Sequence, residues 1–337
     1  GTPKSSLGYP LSGRKILETP SLFQSIQEDL PEVERFIQTL AGVDSPWLAE
    51  LLTYILRPGG KRLRPALTLL AGKFYNYDQE HLLTMAAAVE LLHTATLLHD
   101  DTIDRADVRR GVSTVNARWD GSVAVLAGDY LFAQSAGLAA STGNMRVVQL
   151  FARTLMTIVD GEMRQQKSAF DWNQTREEYF GRISRKTASL FSMATESGAV
   201  LSGAPEASIQ ALISYGYNLG MAFQIIDDIL DFMGEEQEMG KPVGSDLLQG
   251  TVTLPALVFM ELNPGDDSVR CMMENPGDNG HAARVIQAIR TSAAIPQAYK
   301  VAGNFCQKAC SGLASLPSMG PVESLRNLAD YTVKRSY

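Results

Sequence analysis

The spacing of apolar side chains is helical almost throughout the chain. Apolar residues recur three and four positions apart, beginning with Leu22, Ile26, Leu30 and Val33. The same spacing predicts helices over 62–74, 82–104, 122–140, 146–166, 176–200, 208–232, 282–290, 295–313 and 321–335. No stretch alternates apolar and polar residues between hairpin turns, so we expect an all-α fold.

Short Gly and Pro clusters separate the predicted helices, and none is long enough to be a domain linker. We therefore expect one large bundle of about ten to twelve helices, with several central helices apolar on most faces. Residues 1–16 are rich in Gly, Ser and Pro and are predicted to be a flexible end. Residues 17–337 are predicted to form a single all-α domain.

Composition narrows the class of protein. The net charge of −7 argues against a protein that binds nucleic acid over its whole surface, so no nucleic-acid partner is expected. Cys271, Cys306 and Cys310 lack the spacing of a zinc or redox motif, so we expect free thiols and a reducing cytoplasm. About 18 consecutive apolar residues are needed to span a bilayer, and no stretch of the sequence approaches that length. The most apolar stretch, 123–140, is interrupted by the polar residues Asp129 and Gln134. No transmembrane segment is predicted.

The sequence contains two aspartate clusters, each at the end of an apolar segment. The first contains Asp100, Asp101 and Asp104, and the second contains Asp227, Asp228 and Asp231. Positions i and i+4 share one face of a helix, roughly 6 Å apart, so each cluster can aim two carboxylates at one point. Unpaired carboxylates in apolar helices are strongly disfavoured, and oxygen ligands favour magnesium. The paired clusters predict magnesium sites facing each other across a cavity.

Basic residues complement the aspartates. Lys61, Arg62 and Arg64 follow a Gly pair at a predicted helix start, a place that favours anions. Arg109 and Arg110 follow the first cluster, and further cations occur at 185–186 and at 241. Because these cations are more than one diphosphate needs, the pattern predicts two diphosphate sites.

Seven motifs, in order, resemble those of the trans-isoprenyl diphosphate synthases, the polyprenyl synthetase family. They are 59–65 (GGKRLRP), 90–104 (ELLHTATLLHDDTID), 109–111 (RRG), 128–131 (GDYL), 224–231 (QIIDDILD), 240–247 (GKPVGSDL) and 253–255 (TLP). The resemblance implies the isoprenoid synthase type of helical bundle, with a central cavity between helices. It also implies a likeness to long-chain members and a homodimer.

The resemblance also implies roles for matching residues. Catalytic residues would be Asp100, Asp101, Asp104, Asp227, Asp228 and Lys186. Ligands or neighbours of up to about three Mg²⁺ ions would be Asp100, Asp101, Asp104, Asp227, Asp228 and Asp231. Isopentenyl diphosphate would meet Lys61, Arg64, His93 and Arg110. The allylic diphosphate would meet Arg109, Lys186, Thr187, Gln224 and Lys241.

The small residues upstream of Asp100 bear on product length. Ala95, Thr96 and Leu92 are expected to line a tunnel for the growing tail, with Phe132 as a deeper floor. Short-chain relatives tend to have Phe or Tyr at the position of Ala95 or Thr96. We therefore expect an all-trans product of roughly 30 to 50 carbons, of the kind used for quinone side chains.

Three alternative functions share parts of this pattern. A shorter-chain farnesyl or geranylgeranyl diphosphate synthase stays open. A class I terpene cyclase would normally carry an Asn/Ser/Glu metal motif in place of 227–231 and would not need Lys61 and Arg64. A non-catalytic partner subunit would typically lose aspartates from one cluster, whereas this chain keeps both.

Overall fold

A computed structural model describes residues 22–335, apart from the side chains of Gln237 and Glu238. In that range the fold is helical, with one short hairpin, which confirms the predicted all-α class. The predicted flexible end, 1–16, lies outside the described residues, and the single domain over 17–337 stays a prediction. The helices are α1 (Asp29–Thr39), α2 (Pro46–Ile55), α3 (Leu63–Gly72), α4 (Gln79–Ile103), α5 (Val115–Arg118), α6 (Gly121–Ser141), α7 (Met145–Lys167), α8 (Arg176–Ile183), α9 (Ser189–Leu201), α10 (Glu206–Met233), α11 (Glu236–Met239), α12 (Ser245–Leu248), α13 (Leu254–Leu262), α14 (Asp267–Glu274), α15 (Asn279–Arg290), α16 (Ala294–Ser311) and α17 (Gly320–Lys334).

Two long helices, α4 and α10, organise the bundle. The side chain of Asp78 caps α4 by accepting from the backbone N–H of His81 at 3.2 Å, which satisfies a free donor of the first turn. Helix α4 packs against α6, α3 and α1, and α10 packs against α9, α16 and α17. Both helices are buried along most of their length and end at the aspartate clusters.

The hydrophobic core has two parts, and α10 runs through both. The first part lies among α1, α3, α4, α6, α9 and the first half of α10, where Tyr215 and Leu219 are buried. The second lies among α13, α15, α16 and the second half of α10, where Ile225 and Ile229 are buried. The second aspartate cluster is therefore held on a helix fixed along its whole length.

Several elements differ from the sequence prediction. Within the described residues there are seventeen α-helices rather than ten to twelve, because α2, α13, α14 and three four-residue helices were not predicted. A hairpin pairs Val108–Arg109 (β1) with Val112–Ser113 (β2), too short to show alternation. The predicted segment 176–200 is divided between α8 and α9 by a π-helical turn, Ser184–Ala188.

Within the described residues, two helices, α4 and α6, are long and apolar enough to cross a membrane by length and composition alone. The most apolar part of α4 is 61% buried, whereas that of α6 is 33% buried. For α4, the expectation of no membrane span is supported by its burial in the bundle. For α6, it depends on the two polar residues that interrupt the helix, Asp129 and Gln134. All three cysteines are free, as predicted, and Cys306 is buried.

Candidate active site

The first aspartate cluster lies at the end of α4, with Asp104 as its C-terminal cap residue. Asp101 is buried and accepts from Arg109, at 2.9 Å from Nε and 2.7 Å from Nη2. The carboxylates of Asp100 and Asp104 make no hydrogen bond or ion pair with any described residue. Burial raises the pKa of Asp100 to about 6 and raises that of Asp104, and the negative charge of Glu162 adds to both shifts. These two carboxylates are arranged to favour a cation.

The β1–β2 hairpin sends two neighbouring arginines to different places. Arg110 and Gly111, at its tip, both have left-handed backbones, with φ of 50° and 75°, as a two-residue hairpin turn requires. The Arg109 side chain turns back to Asp101. The Arg110 guanidinium lies against Gly60, where a Cβ would come within 2.8 Å of Nη1. The glycine therefore makes room for this arginine.

Arg64, His93 and Arg110, three of the four residues expected to meet isopentenyl diphosphate, come together. Arg64 Nη1 lies 3.2 Å from His93 Nε2, and Lys61 Nζ donates to the Tyr331 hydroxyl at 2.5 Å. Burial lowers the pKa of Arg64 to about 10. Burial and the charges of Arg64 and Arg110 hold the pKa of His93 well below its usual range. The positive charge collected here is suited to an anion such as a diphosphate.

Arg62 does not join this group, although the sequence places it between Lys61 and Arg64. Its Nε lies 2.6 Å from Glu34 Oε2, and its Nη1 lies 2.5 Å from Glu90 Oε1. Its backbone is left-handed, with φ of 48°, at the start of α3. Arg62 therefore ties α3 to α1 and α4, and it was wrongly grouped with the diphosphate-binding cations.

Each carboxylate of the second cluster has a protein partner. Asp227 Oδ1 lies 2.7 Å from Arg335 Nη2. Asp228 accepts hydrogen bonds from Tyr179 and, at 2.9 Å, from Gln224. Asp231 accepts from Lys241 at 2.7 Å, from Ser245 at 3.2 Å and from the Asp246 N–H at 3.2 Å. Burial raises the pKa of Asp228 to about 8, and the charge of Asp246 adds to the shift. Burial likewise raises the pKa of Asp246 to about 6.

Lys186 lies near the first cluster and near Asp246, which neighbours the second cluster. It sits in the π-helical turn, a feature that is common at functional sites, and its Nζ is 2.6 Å from Glu162 Oε2. The charges of Asp100 and Asp104 act on it, and its own charge acts on Asp246. The next residue, Thr187, donates to Gln224 at 2.7 Å. The π-helical turn thus connects the end of α4 with the middle of α10.

Sequence reasoning missed several residues of this site. Glu162 and Asp246 add carboxylates, and Tyr179, Tyr331 and Arg335 bind predicted site residues. Asp246 belongs to the quoted motif 240–247, which was a usable signal. Glu162 lies in an ordinary amphipathic helix, so nothing in its neighbourhood distinguished it from a surface acid.

Comparison with known proteins identifies the family. The profile of the family named polyprenyl synthetase matches residues 45–290. The chain belongs to the polyprenyl synthetase family. It is therefore a trans-prenyltransferase, as the motifs imply.

Similar proteins cover almost the full length. Heptaprenyl diphosphate synthase component 2 of Geobacillus stearothermophilus is 40% identical, over 95% of this chain and 100% of the relative. A decaprenyl diphosphate synthase structure from Rhodobacter capsulatus has a TM-score of 0.87 and 38% identity, over 95% of this chain and 99% of that one. A Caulobacter crescentus polyprenyl synthase, solved with calcium and isoprenyl diphosphate, has a TM-score of 0.88 and 35% identity, over 95% and 98%.

The positions proposed for the product tunnel of this polyprenyl synthetase differ in exposure. Ala95 and Leu92 are fully buried, whereas Thr96 and Phe132 are partly exposed. Thr96 shares a helical face with His93 and Asp100. The Phe132 ring packs edge-on against His99, 5.2 Å away, so it lies near the C-terminal end of α4 and not at the deeper level expected for a floor of the tunnel. Thr96 is thus the better placed of the two small residues to meet a bound tail.

The donor set of this synthetase fits magnesium. In the described part of the chain, no three carboxylate, imidazole or thiol groups lie close enough to make a metal site by themselves. Magnesium needs no such cage, because it keeps waters and binds one or two carboxylates together with substrate phosphates. The open carboxylates of Asp100 and Asp104 supply that requirement.

Proposed function

We propose that this protein condenses isopentenyl diphosphate with an allylic diphosphate, repeatedly, to make an all-trans polyprenyl diphosphate of roughly 30 to 50 carbons. One observation carries the proposal: the charges of Asp100 and Asp104 act on Lys186, whose own charge acts on Asp246 next to the second cluster, and a separate cationic group around Arg64 lies within reach of Asp227. Two anion sites side by side are what a condensation of two diphosphates requires. The names of the heptaprenyl and decaprenyl relatives support a long product.

The chemistry follows from these positions. Lys186, Arg109 and Lys241 surround the allylic diphosphate and stabilise the negative charge that grows as its C–O bond breaks. Magnesium, when bound, neutralises further charge on the departing diphosphate. Lys61, Arg64, His93 and Arg110 hold isopentenyl diphosphate so that its alkene faces the allylic cation. A C–C bond forms, and the proton that is lost goes to the released diphosphate.

We propose up to about three Mg²⁺ ions, with Asp100 and Asp104 as the first ligands. Asp101, Asp227, Asp228 and Asp231 are bound by protein partners in this structure. These four aspartates can bind Mg²⁺ only if their protein partners move away. Otherwise the aspartates act indirectly, by holding the cationic side chains around the diphosphate. The Caulobacter relative was solved with calcium and isoprenyl diphosphate, which supports a role for a divalent cation in this family.

The decisive experiment incubates the purified protein with Mg²⁺, farnesyl diphosphate and excess labelled isopentenyl diphosphate, and resolves the products by length. A ladder ending at one long product is expected, and EDTA should abolish it. Asp100→Asn should lower turnover by at least about a hundredfold without loss of fold. A product that stops at about 20 carbons would indicate a geranylgeranyl diphosphate synthase, and a product of about 15 carbons made only from dimethylallyl diphosphate would indicate a farnesyl diphosphate synthase. Hydrocarbon from farnesyl diphosphate alone would indicate a cyclase, and silence a partner subunit.

We also propose a homodimer that forms through α6 and α7. These packed helices expose an unusual number of large apolar side chains: Val125, Leu126, Tyr130, Met145, Met156, Val159 and Met163. A contiguous apolar face of this kind is typical of an interface. Because the Geobacillus relative is named as one component of a synthase, a different partner subunit is the competing occupant.

The oligomeric state tests this surface. Light scattering on the wild-type protein should give about twice the chain mass of 36.7 kDa, and Leu126→Lys with Met156→Lys should give the monomer. Met319→Lys, an exposed methionine elsewhere, is the matched control and should stay dimeric. A monomeric wild type would contradict the homodimer.

A cytoplasmic location is proposed as well, supported by the three free cysteines.

A further inference from the structure

Glu162 is a nearly buried acid for which the proposed reaction has no use. Its side chain is 15% exposed, on α7, and its Oε2 lies 2.6 Å from Lys186 Nζ. The preceding Gly161 lets α7 approach the π-helical turn closely, because a Cβ there would come within 2.7 Å of Arg185 Cβ. The backbone is thus built to bring Glu162 and Lys186 together.

Lys186 has a choice of carboxylates. Burial works to lower its pKa, but the charges of Asp100, Glu162 and Asp104 raise it above its ordinary value, so all three acids act on the ammonium. Its ion pair is nevertheless with Glu162, and the carboxylates of Asp100 and Asp104 have no partner among the described residues. The neighbouring cation behaves alike, because Arg109 is bound by Asp101. Lys186 and Arg109, the cations near Asp100 and Asp104, are therefore bound by other acids, Glu162 and Asp101.

We propose that Glu162 is a positioning residue that holds Lys186 off Asp100 and Asp104 until a diphosphate arrives, keeping both carboxylates open to a divalent cation. This rests on the proposed metal role of Asp100 and Asp104. Without Glu162, the ammonium would move to the remaining acids and compete with the cation. When a diphosphate binds, its oxygens take over the ammonium from Glu162.

A double-mutant cycle on metal binding tests this without any turnover. Mn²⁺ binding to the substrate-free protein is titrated by electron paramagnetic resonance for wild type, Glu162→Gln, Lys186→Gln and the double variant. Glu162→Gln should weaken binding about tenfold, an interaction of about 1.4 kcal/mol. In the Lys186→Gln background, the same change should have little effect. Asp160→Asn, which removes a nearby acid of α7 that pairs with Arg185, is the matched control and should bind Mn²⁺ as wild type does.

Each outcome decides something. An equal loss in both backgrounds would mean that Glu162 acts on the metal directly, and unchanged binding in Glu162→Gln would mean that it does not position Lys186; either overturns the inference and leaves the proposed function intact. Binding that is absent in the wild type, or unaffected by Asp100→Asn, would overturn the metal role of Asp100 and the inference with it. Circular dichroism melting curves check that all variants are folded.

Discussion

Arg335 Nη2 lies 2.7 Å from Asp227 Oδ1, which ties the last described residue to the first aspartate of the second cluster. The Arg335 side chain is 10% exposed, and its guanidinium lies 3.8 Å above the ring centre of Phe223. One turn earlier on α17, Tyr331 binds Lys61. Residues 331–335 therefore contact both of the proposed diphosphate regions and connect them.

Arg335→Met should destabilise the protein in EDTA, because the half-buried Asp227 would lose its ion-pair partner. We expect a loss of about 1 to 3 kcal/mol, read from urea denaturation in EDTA. Lys334→Met is the control, since Lys334 is exposed and has no described contact. Mg²⁺ should restore more stability to Arg335→Met than to the wild type, because the cation no longer competes with an arginine. Equal stability of the two variants would contradict the importance of the ion pair.

Product length should respond to Thr96 more cleanly than to Ala95. Thr96→Phe adds a ring on the half-buried face that also carries His93 and Asp100, so the tail should stop early and the main product should lose several isoprene units. Chromatography of the products made from farnesyl diphosphate measures this. Ala95→Phe should also shorten the product if the tail passes there, but at a cost in stability of about 1 to 3 kcal/mol, because Ala95 is fully buried. An unchanged product with Thr96→Phe would place the tunnel elsewhere.

The sequence was sufficient for the helical class and for the two clusters, because long apolar periods and repeated aspartates are local signals. The β1–β2 hairpin was not predictable, because two-residue strands have no period, yet it decides where Arg109 and Arg110 point. The role of Glu162 depends on how α7 meets the π-helical turn, and that of Arg62 on three helices meeting. Such contacts join distant segments, so no local pattern encodes them.

Asp100 should make stability depend on pH. Its ordinary pKa is 3.8, and burial raises it to about 6 in the folded protein, so the protonated form stabilises the fold and this contribution is lost as pH rises through about 6. Asp100→Asn mimics the protonated form. Its gain in melting temperature over the wild type, measured in EDTA, should therefore be larger at pH 8 than at pH 5. Asp44→Asn, at an exposed position, should show no such difference. Equal gains at both pH values would contradict the shift.

Two glycines on helices provide a test of how closely the core helices approach. At Gly198 of α9, a Cβ would lie 2.1 Å from the carbonyl oxygen of Thr68 on α3, so Gly198→Ala must push two backbones apart. We expect a loss of about 3 kcal/mol in the free energy of unfolding. At Gly303 of α16 no atom lies within 4 Å of the same added carbon, so Gly303→Ala should gain about 0.5 to 1 kcal/mol from helix propensity alone. Urea denaturation of the two variants measures the difference, and a Gly198→Ala protein as stable as Gly303→Ala would mean that α3 and α9 are farther apart than this structure places them.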